Sequence, residues 1–180
     1  MLTRVTATGT PQTRLVVLRG NSGSGKSTIA RLLREIVPDQ AIVSQDVLRR
    51  DVLRVPDAAD NASIGLIDLV ARYALDRGQS VAVEGILHAR RYGPMLLQLV
   101  ADHRGISRTF VLDVPFEETL RRHATKAKAA EFGEDEMRAW WHGLQLVDGL
   151  DEAVIGAGLT ADEAAGRIAR GCGTAPAAGP

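Results

Sequence analysis

Short uninterrupted apolar runs alternate along the chain with stretches in which apolar residues recur every three or four positions. Leu15, Val16, Val17 and Leu18 form the first run, the pattern of a strand buried on both faces. Over 25–37, Ile29, Leu32, Leu33 and Ile36 take helical spacing, and Pro38 ends it. A second strand follows over 41–44, then a helix starting near Asp46. A longer helix is predicted over 63–76, with Gly78 just beyond as its stop. Residues 81–83 read as a third strand. A helix over 94–103 has Pro94 in its first turn and Gly105 after it. Residues 109–112 read as a fourth strand. A helix over 115–123 carries Glu117 and Glu118 in its first turn, where the helix dipole favours acid. The spacing predicts another helix over 134–147. Val154 and Ile155 mark a short fifth strand, and Thr160 with Glu163 has the capping-box spacing of a last helix reaching Arg170.

Strand and helix alternate repeatedly, which predicts an α/β fold: a five-stranded parallel sheet with helices on both faces. Ligands in such sheets bind at the carboxyl ends of the strands, and the polar motifs described next fall there. The segments 1–13 and 171–180, rich in Thr, Gly, Pro and Ala, read as flexible tails around one domain over 14–170.

Composition narrows the partners. The chain has 180 residues, and Lys+Arg and Asp+Glu each total 22, so the formal net charge is zero. Such a chain exerts no bulk pull on nucleic acid or an anionic membrane. No apolar run approaches the roughly 18 residues of a membrane span. Cys172 is the only cysteine, so no internal disulfide forms, and 1–12 lack the apolar stretch of a secretory signal; the expected location is the cytoplasm. No pattern specifies an oligomeric state. Lysines are confined to Lys26, Lys126 and Lys128.

The first of these lysines lies in the most specific motif. Gly20, Asn21, Ser22, Gly23, Ser24, Gly25, Lys26 and Ser27, followed by Thr28, match G-x-x-x-x-G-K-[ST] between a strand and a helix. Glycines let the backbone turn tightly and present its N–H groups to phosphate. Lys26 is placed to reach the β- and γ-phosphates of ATP, and the Ser27 hydroxyl to bind Mg²⁺. This motif predicts a P-loop NTPase fold. No N-K-x-D base-reading motif accompanies it, which sets GTPase switches aside and leaves a compact kinase.

A kinase also needs a group that orients the acceptor hydroxyl. Asp46 ends the second strand; an aspartate carboxylate is ionised at neutral pH and accepts a hydroxyl proton. The alternative is a helix cap. Arg49 and Arg50 follow at i+3 and i+4 and are candidates to hold an anionic or polar part of the acceptor, against the commoner fate of arginines in solvent. Glu84 ends the third strand and Asp113 the fourth, where it resembles a Walker B aspartate; Glu84 is preferred because Gly85 permits close backbone approach. It would hold the acceptor or order water on Mg²⁺. His88 lies just beyond and is a further acceptor-binding candidate. Arg121, Arg122, Lys126 and Lys128 form a basic stretch before Phe132, a candidate small helical lid over about 121–138, or else a solvated helix face. Trp140 and Trp141 either wall the acceptor pocket or anchor the segment after the lid.

These motifs, over about 15–170, resemble the small P-loop kinases grouped with chloramphenicol phosphotransferase, zeta toxins and the kinase domain of polynucleotide kinases. The resemblance implies that Asp46 is the general base, that Arg122 contacts phosphates or stacks on adenine, and that the adenine loop is 156–159, including Gly158. Lys126 and Lys128 stand where a further arginine is often found. Val83, Glu84, Gly85, Ile86 and Leu87 are similar to a segment of uridine kinases. The expected activity is transfer of the γ-phosphoryl group of ATP to a small-molecule hydroxyl such as that of an antibiotic, a nucleoside or a nucleotide sugar. The alternatives are a polynucleotide 5′-hydroxyl kinase, against which the neutral charge counts, and a non-catalytic ATP-binding regulator.

Overall fold

The computed structural model describes residues 7–37, 39–125 and 133–174. Five strands, β1 (Arg14–Gly20), β2 (Ala41–Ser44), β3 (Val81–Gly85), β4 (Ile106–Asp113) and β5 (Glu152–Gly156), form one parallel sheet in the order β2-β3-β1-β4-β5. Val17 lies opposite Val83 on one side and Thr109 on the other. Among the described residues six α-helices accompany the sheet: α1 (Lys26–Ile36), α2 (Ser63–Asp76), α3 (Ala89–Asp102), α4 (Phe116–Ala124), α5 (Glu134–Ala139) and α6 (Ala161–Gly171). The α/β P-loop architecture expected from the sequence is therefore the one observed.

Alternation along β1 divides the core. Val16 and Leu18 pack with Ile29 and Leu33 of α1 and Ala165 and Ile168 of α6. Leu15 and Val17 face the other way, onto Ile67 and Leu75 of α2 and Leu96 and Leu99 of α3. Each sheet face is thus covered by helices, and β1 and β3 lie side by side within the sheet. Among the described residues, no helix is long and apolar enough to cross a membrane.

The structure departs from the sequence reading in four places. The third main helix begins at Ala89, so Pro94 lies inside it rather than in its first turn. Proline there removes one ladder bond, to the carbonyl of the exposed Arg90, where water is available. The helix expected over 134–147 stops at Ala139. Beyond it the chain is held in irregular form by Asn21, whose Nδ2 donates to the His142 carbonyl at 2.6 Å and whose Oδ1 accepts from the His142 N–H at 3.1 Å. The described part of the N-terminal segment is packed rather than loose. Thr8 is buried, its hydroxyl and the Gly9 N–H both donating to Asp76 at 2.8 Å. Finally, the helix near Asp46 is a π-helix, Val47–Val52. At the other terminus Cys172 is buried in the core beside α6. Lys126, Lys128 and Phe132 of the expected lid, and the outer ends of both tails, lie outside the described residues.

Candidate functional site

The P-loop joins β1 to α1. Gly23 has φ +78° and Gly25 φ +107°, conformations that side chains disfavour, and a Cβ on Gly23 would come within 2.6 Å of the Thr119 carbonyl oxygen. The loop is therefore specified by its glycines. Lys26 folds back over it, Nζ donating to the Asn21 carbonyl at 2.7 Å. Ser27 at the first turn of α1 donates to Glu84 Oε2 at 3.1 Å. Glu84 is buried at the end of β3, one strand over from the loop, whereas Asp113 is exposed at the end of β4. Of the two candidate carboxylates, Glu84 is thus the one beside the hydroxyl suited to a metal. The loop's N–H-rich turn, its lysine and the Ser27–Glu84 pair fit a Mg²⁺-bound triphosphate.

The segment that follows Glu84 is held by a residue that the sequence reading overlooked. Gln45 is buried beneath Gly85, where a Cβ would overlap it, and its Oε1 accepts from the Leu87 N–H at 3.0 Å. Arg19 takes the Leu87 carbonyl from the other side at 2.9 Å and pairs with the buried Glu152 at 2.6 Å. Leu87, at φ +42°, is thereby held in a left-handed conformation unusual for leucine. A charged residue interrupting the apolar run of β1 was the visible trace of Arg19; nothing in the sequence marks Gln45.

Asp46 and Glu84 line one cavity together with Lys26 and Ser27. The Asp46 side chain makes no capping bond to the π-helix that follows. It stands 3.4 Å from Arg49 Nη2 and 3.3 Å from Arg50 Nε, and is about half exposed at 45%. Arg50 in turn lies over the ring of Trp140, 5.3 Å from its centroid. Trp140 lines the cavity, while Trp141 packs edge-on against Phe116 at 5.3 Å. One tryptophan is a wall and its neighbour an anchor.

Arg122 belongs to the opposite side of the P-loop. Its Nη1 donates to the Ser24 carbonyl at 3.0 Å, and its Nη2 approaches the Ala157 carbonyl at 3.4 Å. It lines a cavity of about 440 Å³ with Gly25, Thr28 and Gly158. Glu118 braces it at 2.6 Å; hydrogen bonds from Arg121 and then Arg122 hold the Glu118 carboxyl down to about 2. His88 sits at the start of α3, edge-on to His142 with ring centroids 4.6 Å apart. Burial, then the neighbouring His142, push its pKa below the ordinary imidazole value. The P-loop residues, Asp46 and Glu84 are thus brought together. Arg122 and Gly158 meet on the far side of the loop, and Arg49, Arg50 and His88 line a further cavity with Arg91.

No family model matches the chain, and no curated protein matches its sequence. Solved structures do. The APS kinase of Mycobacterium tuberculosis, in complex with AMPPNP and APS, superposes with a TM-score of 0.67 at 22% identity, over 91% of this chain and 99% of that one. The tunicamycin resistance protein of Deinococcus radiodurans gives 0.61 at 21% identity, over 91% and 99%. A gluconokinase from Sinorhizobium meliloti gives 0.64 at 17% identity, over 93% of each chain. The fold is that of the small P-loop kinases.

Proposed function

We propose that the protein is a kinase that transfers the γ-phosphoryl group of ATP to a hydroxyl of a small molecule. The observation that carries this reading is a single cavity lined by Lys26, Ser27, Glu84 and Asp46. A phosphate cradle alone specifies a nucleotide binder. A carboxylate across the same cavity, free of any helix-capping bond, adds the group that an acceptor hydroxyl requires.

In this reading the acceptor oxygen bonds to the γ-phosphorus as the bond to the β-phosphate oxygen breaks. ADP leaves with the electron pair, and the hydroxyl proton passes to Asp46. Lys26 leaves its contact with the Asn21 carbonyl for the phosphates. Ser27, oriented by Glu84, would hold Mg²⁺, whose charge offsets that of the β- and γ-phosphates once bound. Arg122 and the 156–159 loop form the nucleotide end, with Gly158 against the base. The arginines beyond Asp46 form the acceptor end. The structural likeness to kinases acting on such different acceptors supports the reaction class without choosing among acceptors.

The test is mass spectrometry of pooled acceptors incubated with protein, ATP and Mg²⁺. The pool holds nucleosides, nucleotide sugars, sugars, hydroxylated antibiotics and a 5′-hydroxyl oligonucleotide. A phosphorylated small molecule formed by wild type and not by Asp46→Asn supports the proposal. Product on the oligonucleotide alone would move the reading to a polynucleotide kinase. ATP bound and nothing phosphorylated would leave a regulator.

A further inference from the structure

Beyond Asp46 lies a second cavity of about 540 Å³ that adjoins the first, with Arg50, Ile86 and Trp140 lining both. Its polar lining is one-sided. Asp46 at its mouth pairs with Arg49 and Arg50, and these two arginines with Arg91 line it against the single lining carboxylate of Asp57. That carboxylate is already engaged, accepting from the Tyr92 hydroxyl at 2.9 Å and pairing with Arg91 at 3.2 Å. Arg49 is nearly buried at 11% exposure. It donates through Nη1 to the Val55 carbonyl at 3.0 Å, and its Nε has no hydrogen-bond partner among the described residues. The Nδ1 of His88 is likewise buried without a partner among them. Buried polar atoms of this kind are costly unless something hydrogen-bonds to them.

Resting on the kinase reading above, we propose that the acceptor carries an anionic oxygen group, a carboxylate or a phosphate monoester, held by Arg49 and Arg91 while its hydroxyl lies at Asp46. Three guanidinium groups meet the two carboxylates of Asp46 and Asp57, so a neutral sugar or antibiotic would leave one positive charge and the Arg49 Nε unanswered. A carboxylate or phosphate accepts from planar guanidinium groups in pairs. The arrangement also orients the molecule: its anionic end lies away from the triphosphate, which it would otherwise repel, and its hydroxyl points toward the P-loop.

The test separates anion recognition from turnover. The protein is loaded with AMPPNP and Mg²⁺, so that the P-loop is filled, and titrated calorimetrically with matched pairs. Gluconate against glucose tests the carboxylate. Glucose 6-phosphate against glucose, and uridine 5′-monophosphate against uridine, test the phosphate. At least one anion should bind tenfold or more tightly than its neutral partner, less tightly as salt rises. Arg49→Gln and Arg91→Gln should each weaken it roughly tenfold or more, the scale of a lost charged hydrogen bond. Arg91→Lys should restore part of the loss, and Arg77→Gln, on the exposed end of α2, should change nothing. Neutral members binding as well as anions, arginine variants within twofold of wild type, or no binding by any of the three anions would overturn the proposal. Arginine-dependent anion binding without phosphoryl transfer from ATP to any panel member would instead fail the kinase reading and leave the anion site standing.

Discussion

The two ends of the cleft are built by different means. The proposed phosphate end comes from eight consecutive residues, 20–27, which offer mainly backbone and one lysine. The proposed acceptor end is assembled from side chains on separate elements: Asp46, Arg49 and Arg50 around the π-helix, Arg91 on α3, and Trp140 beyond α5. Every nucleoside triphosphate offers the same phosphates, so a fixed cradle of peptide N–H groups is sufficient there. An acceptor's shape is particular, and only side chains can be particular about it. The π-helix fits this division. Its wider turn is uncommon and tends to occur at functional sites, and here it carries Arg49 and Arg50, which pair with Asp46.

The largest break in the comparison is expected from Lys26→Ala. The loop should lose its lysine charge, abolishing turnover and weakening ATP binding in calorimetry, while affinity for the acceptor stays near wild type. Unchanged turnover would remove the P-loop from the reaction. Asp46→Asn is the converse. It should reduce kcat by roughly 10²-fold or more, the scale of a lost general base, and leave ATP affinity intact. The absence of a capping bond from Asp46 adds a control: the melting temperature should move little. A large loss of stability with unchanged kcat would return Asp46 to a structural role.

The same division explains what the sequence disclosed. All five strands were legible, β1 and β3 most directly, because buried parallel strands are short apolar runs. The P-loop was legible because its residues are contiguous. Arg91 was not, since an arginine near a helix start ordinarily reads as solvated; only the fold turns it toward Asp57 and the cavity. Trp140, Leu144 and Val147 take helical spacing, and what keeps 140–147 out of a helix is the amide of Asn21, far away in sequence. Likewise α3 starts at Ala89 because the His88 carbonyl takes the N–H groups of Arg91 and Tyr92, at 3.0 and 2.9 Å, a beginning with no side-chain signature. Position within the chain identified Asp46 and Glu84 as strand-end carboxylates. Which carboxylate stands beside Ser27 depended on strand order: β3, not β4, carries it.

Gly85→Ala sharpens the comparison at the seam between the two ends. A Cβ there would overlap both the Cβ and the Oε1 of Gln45, so relief requires backbone movement rather than a rotamer change. Overpacking of this kind costs about 1–3 kcal/mol. The variant should melt several degrees lower, and because Gln45 holds the Leu87 N–H, acceptor affinity should fall more than ATP affinity. Equal loss at both ends would mean that the seam is not a boundary.

The smallest expected effect is on pH dependence, and it again sets one region against another. His103 is buried between Thr13 Oγ1 and Ser107 Oγ, each 2.9 Å from a ring nitrogen, and burial pushes its pKa below the ordinary value of about 6.5. His88, at the acceptor end, is lowered by burial and then by His142 and Arg91. A lowered imidazole pKa means that the unfolded chain binds more protons below about pH 6.5. The stabilisation is therefore complete above that value and is lost as pH falls toward the folded pKa. Linkage limits the slope to about 1.4 kcal/mol per pH unit for each group. Glu118, held at about 2, titrates well below this window. Between pH 7.5 and 5.5 the melting temperature should fall. His103→Gln should flatten that slope without touching the cleft. An anionic acceptor should flatten it too, by favouring protonated His88 in the folded state. If the ligand leaves the slope unchanged while His103→Gln flattens it, the whole pH response belongs to the buried edge beneath the sheet and none of it to the acceptor end.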